Sequence, residues 1–177
     1  RHYPGERAQS DFTDMGSLYV TIAGEPFPHL MYHFVLTYSN WEWVNLAYSE
    51  TFEALIDGLQ TSLWELGGVP LQHRTDNLSA ATHDLKNSRG RDFNERYLAV
   101  MSHYRLEATR NNPGRANENG DVESQNYHFK RAIDQRLRLR GSRDFLTVAD
   151  YMAFVIGLTR DRNQQRKTLL AEELAVM

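Results

Sequence analysis

The stretch 117–131 (NENGDVESQNYHFKR) contains an acid and a cation whose spacing suits chemistry on a phosphate. A helix is predicted to begin just after Gly120, so that Glu123 falls in its first turn. Lys130 follows seven positions later, close to two turns of 3.6 residues, and the two side chains therefore share one face. The carboxylate can hold a metal ion and the ammonium group can hold a phosphate. The pattern indicates metal-assisted chemistry on a nucleic-acid backbone, which needs at least one more carboxylate.

Two further acids lie at informative places. Asp11 falls on the first predicted strand, and Asp76 ends the strand that follows the first predicted helix. In an α/β sheet the first and fourth strands can be neighbours, and a helix that starts near their ends would bring Glu123 close. Clustered carboxylates repel one another unless a cation sits among them. Mg²⁺ favours such a sparse carboxylate site, because it keeps waters and accepts phosphate oxygens as its remaining ligands.

Neighbouring acids offer alternatives to two of these positions. Asp14 lies in the predicted turn after the first strand, where capping explains it better. Glu118 lies in the predicted loop, and Asp121 is the better cap for the helix. Acids at strand ends and in first helical turns are common caps, so the spacing alone leaves a capping interpretation of the triple open.

Four side chains near these acids are candidate DNA contacts. Lys130 can bind a phosphate, or it can be an ordinary surface lysine. Tyr127 lies between Glu123 and Lys130 on their shared face and can stack on a base or simply pack. Asn77 can orient the preceding acid, contact DNA or cap a turn. Arg131 begins an arginine-rich run.

Charge is unevenly distributed, although the formal net charge is only −3. Residues 130–143 contain six basic side chains and one acid, whereas residues 42–57 contain four acids and no base. We interpret these runs as a basic helix and an acidic helix, each with the alternative of a solvated helix face. The basic run is suited to positioning a nucleic-acid backbone without reading its sequence.

Composition excludes several classes of protein. The 177 residues are 41% hydrophobic, enough for one globular domain with a real core. There is no run of eighteen apolar residues, so no membrane span is expected, and the absence of cysteine excludes disulfides and thiolate zinc sites. The histidines show no convincing metal-binding pair, and we expect His29 and His33 to be structural.

The predicted elements form a mixed α/β pattern. An antiparallel meander, in which the second strand pairs back on the first, is followed by βαβ-type crossovers. The most apolar strand, 30–38, is expected to be central and covered on both faces. Gly67-Gly68 and Gly141 are predicted to end helices, and Thr147 to begin one through a capping box. The predicted order is three or four strands, at 8–13, 18–23, 30–38 and 41–48, and then a helix that begins at Ser49 or Thr51 and runs to 66. A strand at 69–75, a helix at 93–104, a strand at 105–109, and helices at 123–139 and from 147 follow.

Four stretches together resemble the catalytic core of DDE transposases and retroviral-type integrases, and within that group the IstA-like insertion-sequence transposases. They are residues 4–12 (PGERAQSDF), 36–40 (LTYSN), 66–78 (LGGVP leading to TDNL) and 119–123 (NGDVE). Asn40 stands where that family usually has arginine, and Asn119 and Asp121 stand at its two lysine positions. The resemblance implies a ribonuclease-H-like fold, in which a mixed five-stranded sheet (an antiparallel meander plus parallel strands) is flanked by helices.

The resemblance also implies a function. Asp11, Asp76 and Glu123 would hold two Mg²⁺ ions, with Mn²⁺ as a substitute, for 3′-end cleavage and strand transfer of a mobile element. The implied partners are DNA (transposon ends and target), further copies of the chain in a dimer or higher oligomer, and an AAA+ ATPase helper. The alternatives are a catalytically weak DNA-binding or assembly module of the same fold, and a ribonuclease-H-type nuclease that cuts without joining.

The expected organisation is that of a fragment of a longer bacterial transposase, which would be cytoplasmic and nucleoid-associated. Residues 1–145 are predicted to form the ribonuclease-H-like core. Residues 146–177 are predicted to form a helical extension of the same domain.

Overall fold

The computed structural model describes residues 2–75, 82–83, 92–93, 95–109 and 120–177, with side chains for 2–75, 95–109 and 124–177. Its centre is a mixed five-stranded sheet. In spatial order its strands are β5 (Glu42–Ala47), β4 (Leu30–Leu36), β1 (Arg7–Asp14), β6 (Gln72–Thr75) and β9 (Glu107–Thr109). The first strand, β1, pairs antiparallel with β4 and parallel with β6, which confirms the predicted mixed sheet.

The segment predicted as a second strand, residues 18–23, does not pair with β1, and this part of the predicted meander is wrong. A 3-10 turn covers Gly16–Leu18, and only Thr21–Ile22 (β2) is extended. Tyr19 and Ala23 have left-handed backbones, with φ of 52° and 50°, which interrupt a strand on both sides of β2. Two small sheets complete the β structure: β2 with β3 (Glu25–Pro26) and β10 (Asp144–Phe145), and β7 (Thr82–His83) with β8 (Asp92–Phe93).

In the part of the chain that the structure describes, five helices cover the central sheet or extend from it. They are α1 (Phe52–Leu66), α2 (Glu95–Tyr104), α3 (Gly120–Arg140), α4 (Val148–Gln164) and α5 (Lys167–Leu174). No helix among the described residues combines the length and apolarity that a bilayer crossing requires.

Two hydrophobic cores lie on opposite faces of the sheet. In β4, Tyr32 and Phe34 pack into the core that contains α1 and α2, whereas Met31 packs into the core of α3 and α4. Because side chains alternate along a strand, His33 shares the α3–α4 face with Met31. This alternation decides which polar residues of the sheet meet α3.

Helix ends follow the predicted signals. The Thr51 side chain accepts the N–H of Ala54 at the start of α1, and Gly67 ends that helix with φ of 72°. Thr147 and Asp150 form the predicted capping box of α4. Gly141, with φ of 76°, ends α3 as predicted.

Candidate active site

Asp11 lies in the middle of β1, half-buried, on the central strand of the sheet. Its Oδ1 accepts the backbone N–H of Phe12 at 2.8 Å. Its Oδ2 accepts the side-chain amide of Asn126 at 3.1 Å. The carboxylate therefore faces α3, the helix that contains Asn126.

The apolar face of α3 determines this contact. Phe129, Ile133 and Leu137 are buried and recur at steps of four residues, so they hold α3 against the sheet. Asn126 is on the same face, one turn earlier, and it is also buried. Glu123 lies in α3 as predicted, three residues before Asn126, and its side chain is outside the described part of the chain.

The strand that precedes Asp76 is the parallel neighbour of β1. Ser10 and Thr75 are paired in register, and each directly precedes one of the predicted acids. The pairing confirms that the first and fourth long strands are neighbours. Asp76 and Asn77 themselves lie outside the described residues.

The predicted DNA contacts in α3 lie on two sides of the helix. Lys130 directs its Nζ toward the backbone oxygen of Asp14 at the end of β1, 3.5 Å away. Tyr127 is exposed. Arg131, also exposed, lines a groove between α3 and α4 instead. Of the two basic side chains, Lys130 and Arg131, it is therefore Lys130 that lies beside β1, the strand of Asp11.

Asp14 has the turn role that the sequence favoured. Its Oδ1 accepts the backbone N–H of Gly16 at 2.8 Å, and the residue is exposed. A capped turn accounts for this acid.

A chain of buried polar groups extends from Asp11 across the sheet. Asn126 Oδ1 is 2.7 Å from Nδ1 of His33, and Nε2 of His33 is 2.9 Å from Oε2 of Glu42. Glu42 in turn binds Arg162, and its Oε1 lies 3.0 Å from Arg166. We call Asn126, His33, Glu42, Arg162 and Arg166 the polar chain.

His33 lies between an amide and a carboxylate. The Asn126 amide nitrogen donates to Asp11, so the amide oxygen faces Nδ1 of His33. The other ring nitrogen faces a carboxylate oxygen. His33 therefore bridges the side-chain oxygen of Asn126 and the carboxylate of Glu42.

Glu42 supplies the negative charge of the polar chain. Burial alone would raise the pKa of this carboxyl, but hydrogen bonds and charge from His33, Arg162 and Arg166 outweigh burial and lower the pKa to about 2. The predicted strand at 41–48 contains Glu42, and β5 confirms it. The charge pattern also counted Glu42 in an acidic helix, and that interpretation is wrong for Glu42, because the residue lies in β5 and is fully buried.

Sequence reasoning missed the polar chain. A signal for Asn126 was available, since it follows Glu123 by three residues and so lies on nearly the same face of the helix. His33 was correctly expected to be structural, as a polar residue inside an apolar strand. Nothing local links Glu42 to Arg162, which is 120 positions away.

Another buried histidine lies on the opposite face of the sheet. His73 contacts the Ser10 hydroxyl at 2.8 Å and the Tyr97 hydroxyl at 2.9 Å. Burial lowers the pKa of His73 to about 3, so this ring is neutral. Its contacts tie β6 to β1 and to α2, which is a structural role.

The donor chemistry of Asp11 suits a hard divalent cation. Each carboxylate oxygen has more than one lone pair, so the bonds from Phe12 and Asn126 are compatible with a metal ion. Within the described ranges, no group of three His, Asp or Glu side chains is arranged to hold one. Asp11 is the one predicted ligand whose side chain is described.

The structure explains one departure from the family pattern, the asparagine at position 40 where the family usually has arginine. Its backbone is left-handed, with φ of 58°, a conformation that asparagine tolerates better than arginine. Its side-chain oxygen accepts a hydrogen bond from Gln125 of α3 at 3.0 Å. Asn40 therefore tethers the β4–β5 turn to the helix that contacts Asp11.

Curated relatives include transposases. The chain is 48% identical over 163 residues to an uncharacterised protein of Sinorhizobium fredii, y4jA/y4nE/y4sE, across 92% of this chain and 32% of the relative. It is 29% identical over 147 residues to the transposase for insertion sequences IS1326/IS1353 of Pseudomonas aeruginosa, across 82% of this chain and 27% of the relative. The chain thus spans about a third or less of the length of these relatives. No protein-family model matches it.

A solved structure shows the same fold. The catalytic core domain of HTLV-2 integrase, in a dimeric form with magnesium, superimposes with a TM-score of 0.59. The alignment covers 88% of this chain and 84% of the integrase core at 18% identity. The predicted ribonuclease-H-like fold is confirmed.

Proposed function

Because this chain is a homologue of insertion-sequence transposases with the fold of a retroviral integrase catalytic core, we propose that it is the catalytic core of a DNA transposase. Its reaction would be 3′-end cleavage of a mobile element and transfer of the freed ends to target DNA. One observation supports this most: α3 is packed so that Asn126 binds the Asp11 carboxylate, and Glu123 precedes Asn126 by one turn.

The proposed metal ligands are Asp11, Asp76 and Glu123. Support comes from the parallel pairing of Ser10 with Thr75, the residues that precede the two aspartates. Two Mg²⁺ ions, or Mn²⁺ in their place, would supply Lewis-acid activation of water and charge neutralisation at phosphorus.

The remaining residues of the site would orient the carboxylate and the DNA. Asn126 holds Asp11 by donating to its Oδ2, and the polar chain fixes the direction of that amide. Lys130, beside the end of β1, would bind a backbone phosphate near the reacting strand. Tyr127 is exposed and available for stacking on a base. Asn77 completes the proposed DNA contacts of the site, and Arg131, on another side of α3, is a proposed DNA contact outside it.

The proposed partners follow from the same relationship. They are the transposon ends, the target DNA and further copies of the chain, since the related HTLV-2 core is described as a dimer. An AAA+ ATPase helper is proposed on the sequence resemblance alone. We place the reaction in the bacterial cytoplasm, on the nucleoid.

A strand-transfer assay tests the proposal. The chain is incubated with Mn²⁺ and either a precut end with target DNA or a branched joined product, whose reversal needs no synapsis of two ends. We expect joining or its reversal. Asp76→Asn and Glu123→Gln should reduce the rate on the order of 10³-fold, because a metal ion supplies several kcal/mol of transition-state stabilisation. Asp14→Asn, an exposed carboxylate on the strand of Asp11, is the matched control and should retain activity.

Each other outcome contradicts the proposal in a recognisable way. Cutting without joining in either direction would identify a nuclease. Inactivity with retained DNA binding would identify an assembly module. Undiminished joining by Asp76→Asn or Glu123→Gln would refute the ligand assignment.

A further inference from the structure

A groove between α3 and the C-terminal end of α4 is lined almost entirely by polar and cationic side chains. Its volume is about 380 Å³. We call it the α3–α4 groove. The lining residues are Gln125, His128, Arg131, Ala132, Gln135, Arg162 and Arg166.

Two guanidinium groups in this groove are held in place by a buried carboxylate. Arg162 and Arg166 both bind Oε1 of Glu42, the latter at 3.0 Å. The carboxylate is fully buried, whereas the arginine side chains keep 21% and 17% of their surface exposed. The arginines are therefore preorganised next to one another, with part of each still reachable from the groove.

The arginine side chains of the groove carry more positive charge than the buried carboxylate of Glu42 neutralises. Arg131 adds a third guanidinium and has no acidic partner among the described residues. Glu42 is the carboxylate that balances Arg162 and Arg166, and it is shared with His33. Burial lowers the pKa of Arg166, Glu42 opposes that effect, and repulsion from Arg162 adds to it. An anion in the groove would relieve this excess.

The groove is separate from the candidate active site. Lys130 points to the end of β1, whereas His128 and Arg131 line the groove on another side of the same helix. A ligand in the groove therefore approaches α3 from a different direction than DNA at Asp11 does.

We propose that the α3–α4 groove binds a backbone phosphate of a DNA segment other than the strand that reacts at Asp11. The planar guanidinium forks of Arg162 and Arg166 match the oxygens of a phosphate. Glutamine and histidine beside them supply further donors, which suits a contact that does not read sequence. The choice of DNA as the source of the phosphate rests on the proposed transposase function.

Two substitutions test the groove without disturbing the ion pairs of Glu42. Arg131→Gln removes one positive charge, and Gln135→Glu adds a negative one. The matched controls are Arg96→Gln in α2 and Gln60→Glu in α1, which make the same charge changes on the other face of the sheet. Duplex binding is measured by fluorescence anisotropy at several salt concentrations.

We expect the groove variants to weaken duplex binding roughly five- to tenfold and Arg131→Gln to reduce the salt slope by about 0.9, the value for one phosphate contact. The controls should change neither quantity comparably. Equal effects of groove and control variants would show a nonspecific charge effect and overturn the proposal.

A titration with inorganic phosphate identifies the ligand chemistry directly. In ¹⁵N-labelled protein, phosphate should shift the Nε–Hε signals of Arg162 and Arg166 saturably in the wild type and not in Gln135→Glu. Shifts without any loss of DNA affinity in the variants would identify a site for free anions and overturn DNA as the source. If a polyglutamate peptide shifts these signals more strongly than a duplex does, the ligand is an acidic protein partner, and DNA as the source of the phosphate is overturned as well.

The groove and the catalytic proposal can fail separately. If the wild type joins DNA while groove variants bind as tightly as the wild type, only the groove is refuted. If groove variants lose affinity and the wild type neither joins nor reverses joining, only the catalytic proposal is refuted.

Discussion

Replacing Glu42 with glutamine should be among the most destabilising single changes of a polar side chain in this fold. The carboxylate is fully buried and faces His33, Arg162 and Arg166. Glutamine keeps the shape but leaves Arg162 and Arg166 without their counter-charge. It also places an amide N–H₂ where a donor already points.

The magnitude follows from the pKa. The pKa falls from the ordinary 4.5 to about 2, which corresponds to roughly 3 kcal/mol at about 1.36 kcal/mol per pKa unit. Breaking a buried ion pair by removing one partner typically costs about 3–5 kcal/mol. We therefore expect Glu42→Gln to lower the free energy of unfolding at pH 7 by about 3 kcal/mol, and the melting temperature by about 6–12 °C.

The pH dependence gives the prediction its sign. The folded-state pKa of Glu42 is below the unfolded value, so its stabilisation is present above about pH 4.5 and is lost as the pH falls toward about 2. The difference between wild type and Glu42→Gln should thus be full at pH 7 and smaller at about pH 3.5.

Urea unfolding followed by tryptophan fluorescence measures the effect. Asp161→Asn is the matched control, because Asp161 pairs with Arg136 at the surface, with side chains 63% and 43% exposed. Such a pair is worth roughly 0–1 kcal/mol. The reasoning is refuted if Glu42→Gln costs no more than Asp161→Asn, or if its cost does not shrink on acidification.

Two further predictions concern the residues around Asp11 and the other face of the sheet. Asn126→Ala should lower the strand-transfer rate roughly 10–100-fold at saturating Mn²⁺, because it removes the donor that orients Asp11, while the fold measured by circular dichroism stays intact; an unchanged rate would refute a positioning role. The pKa of His73 is lowered to about 3 from 6.5, so the unfolded state binds the extra proton between these values and stability should fall as the pH drops below about 6.5. His73→Gln should reduce that dependence in urea titrations at pH 7 and about pH 5, and an identical pH profile would contradict the assignment.

Much of the fold could be predicted because its signals are local. The apolar run of β4 and the periodic leucines of α1 can be recognised in the sequence because each buries its apolar side chains on a defined face. The caps at Thr51 and Thr147 are equally local. The segment 18–23 defeated the same reasoning: its aromatic and β-branched residues favour a strand, but left-handed conformations at Tyr19 and Ala23 interrupt it.

The site was predictable only in part. Placing Asp11 on a strand and Glu123 at the start of a helix needed only periodicity. The polar chain depends on side chains from β4, β5, α3 and α4 that meet through tertiary packing, and no spacing along the sequence encodes those contacts. Glu42 was predicted to lie in a strand, but its burial was missed because a charged residue was assumed to be solvated. That assumption fails when burial and partners come together.

The polar chain also constrains how this protein can evolve. Each member uses a specific donor or acceptor of the next, so an apolar residue at position 33 would deprive both the Asn126 side-chain oxygen and Oε2 of Glu42 of the partner that His33 supplies. Viable replacements should therefore come as sets, in which a sequence without His33 also changes position 42 and its arginines. Relatives that differ here should divide into those that keep the whole arrangement and those that have exchanged it for apolar packing.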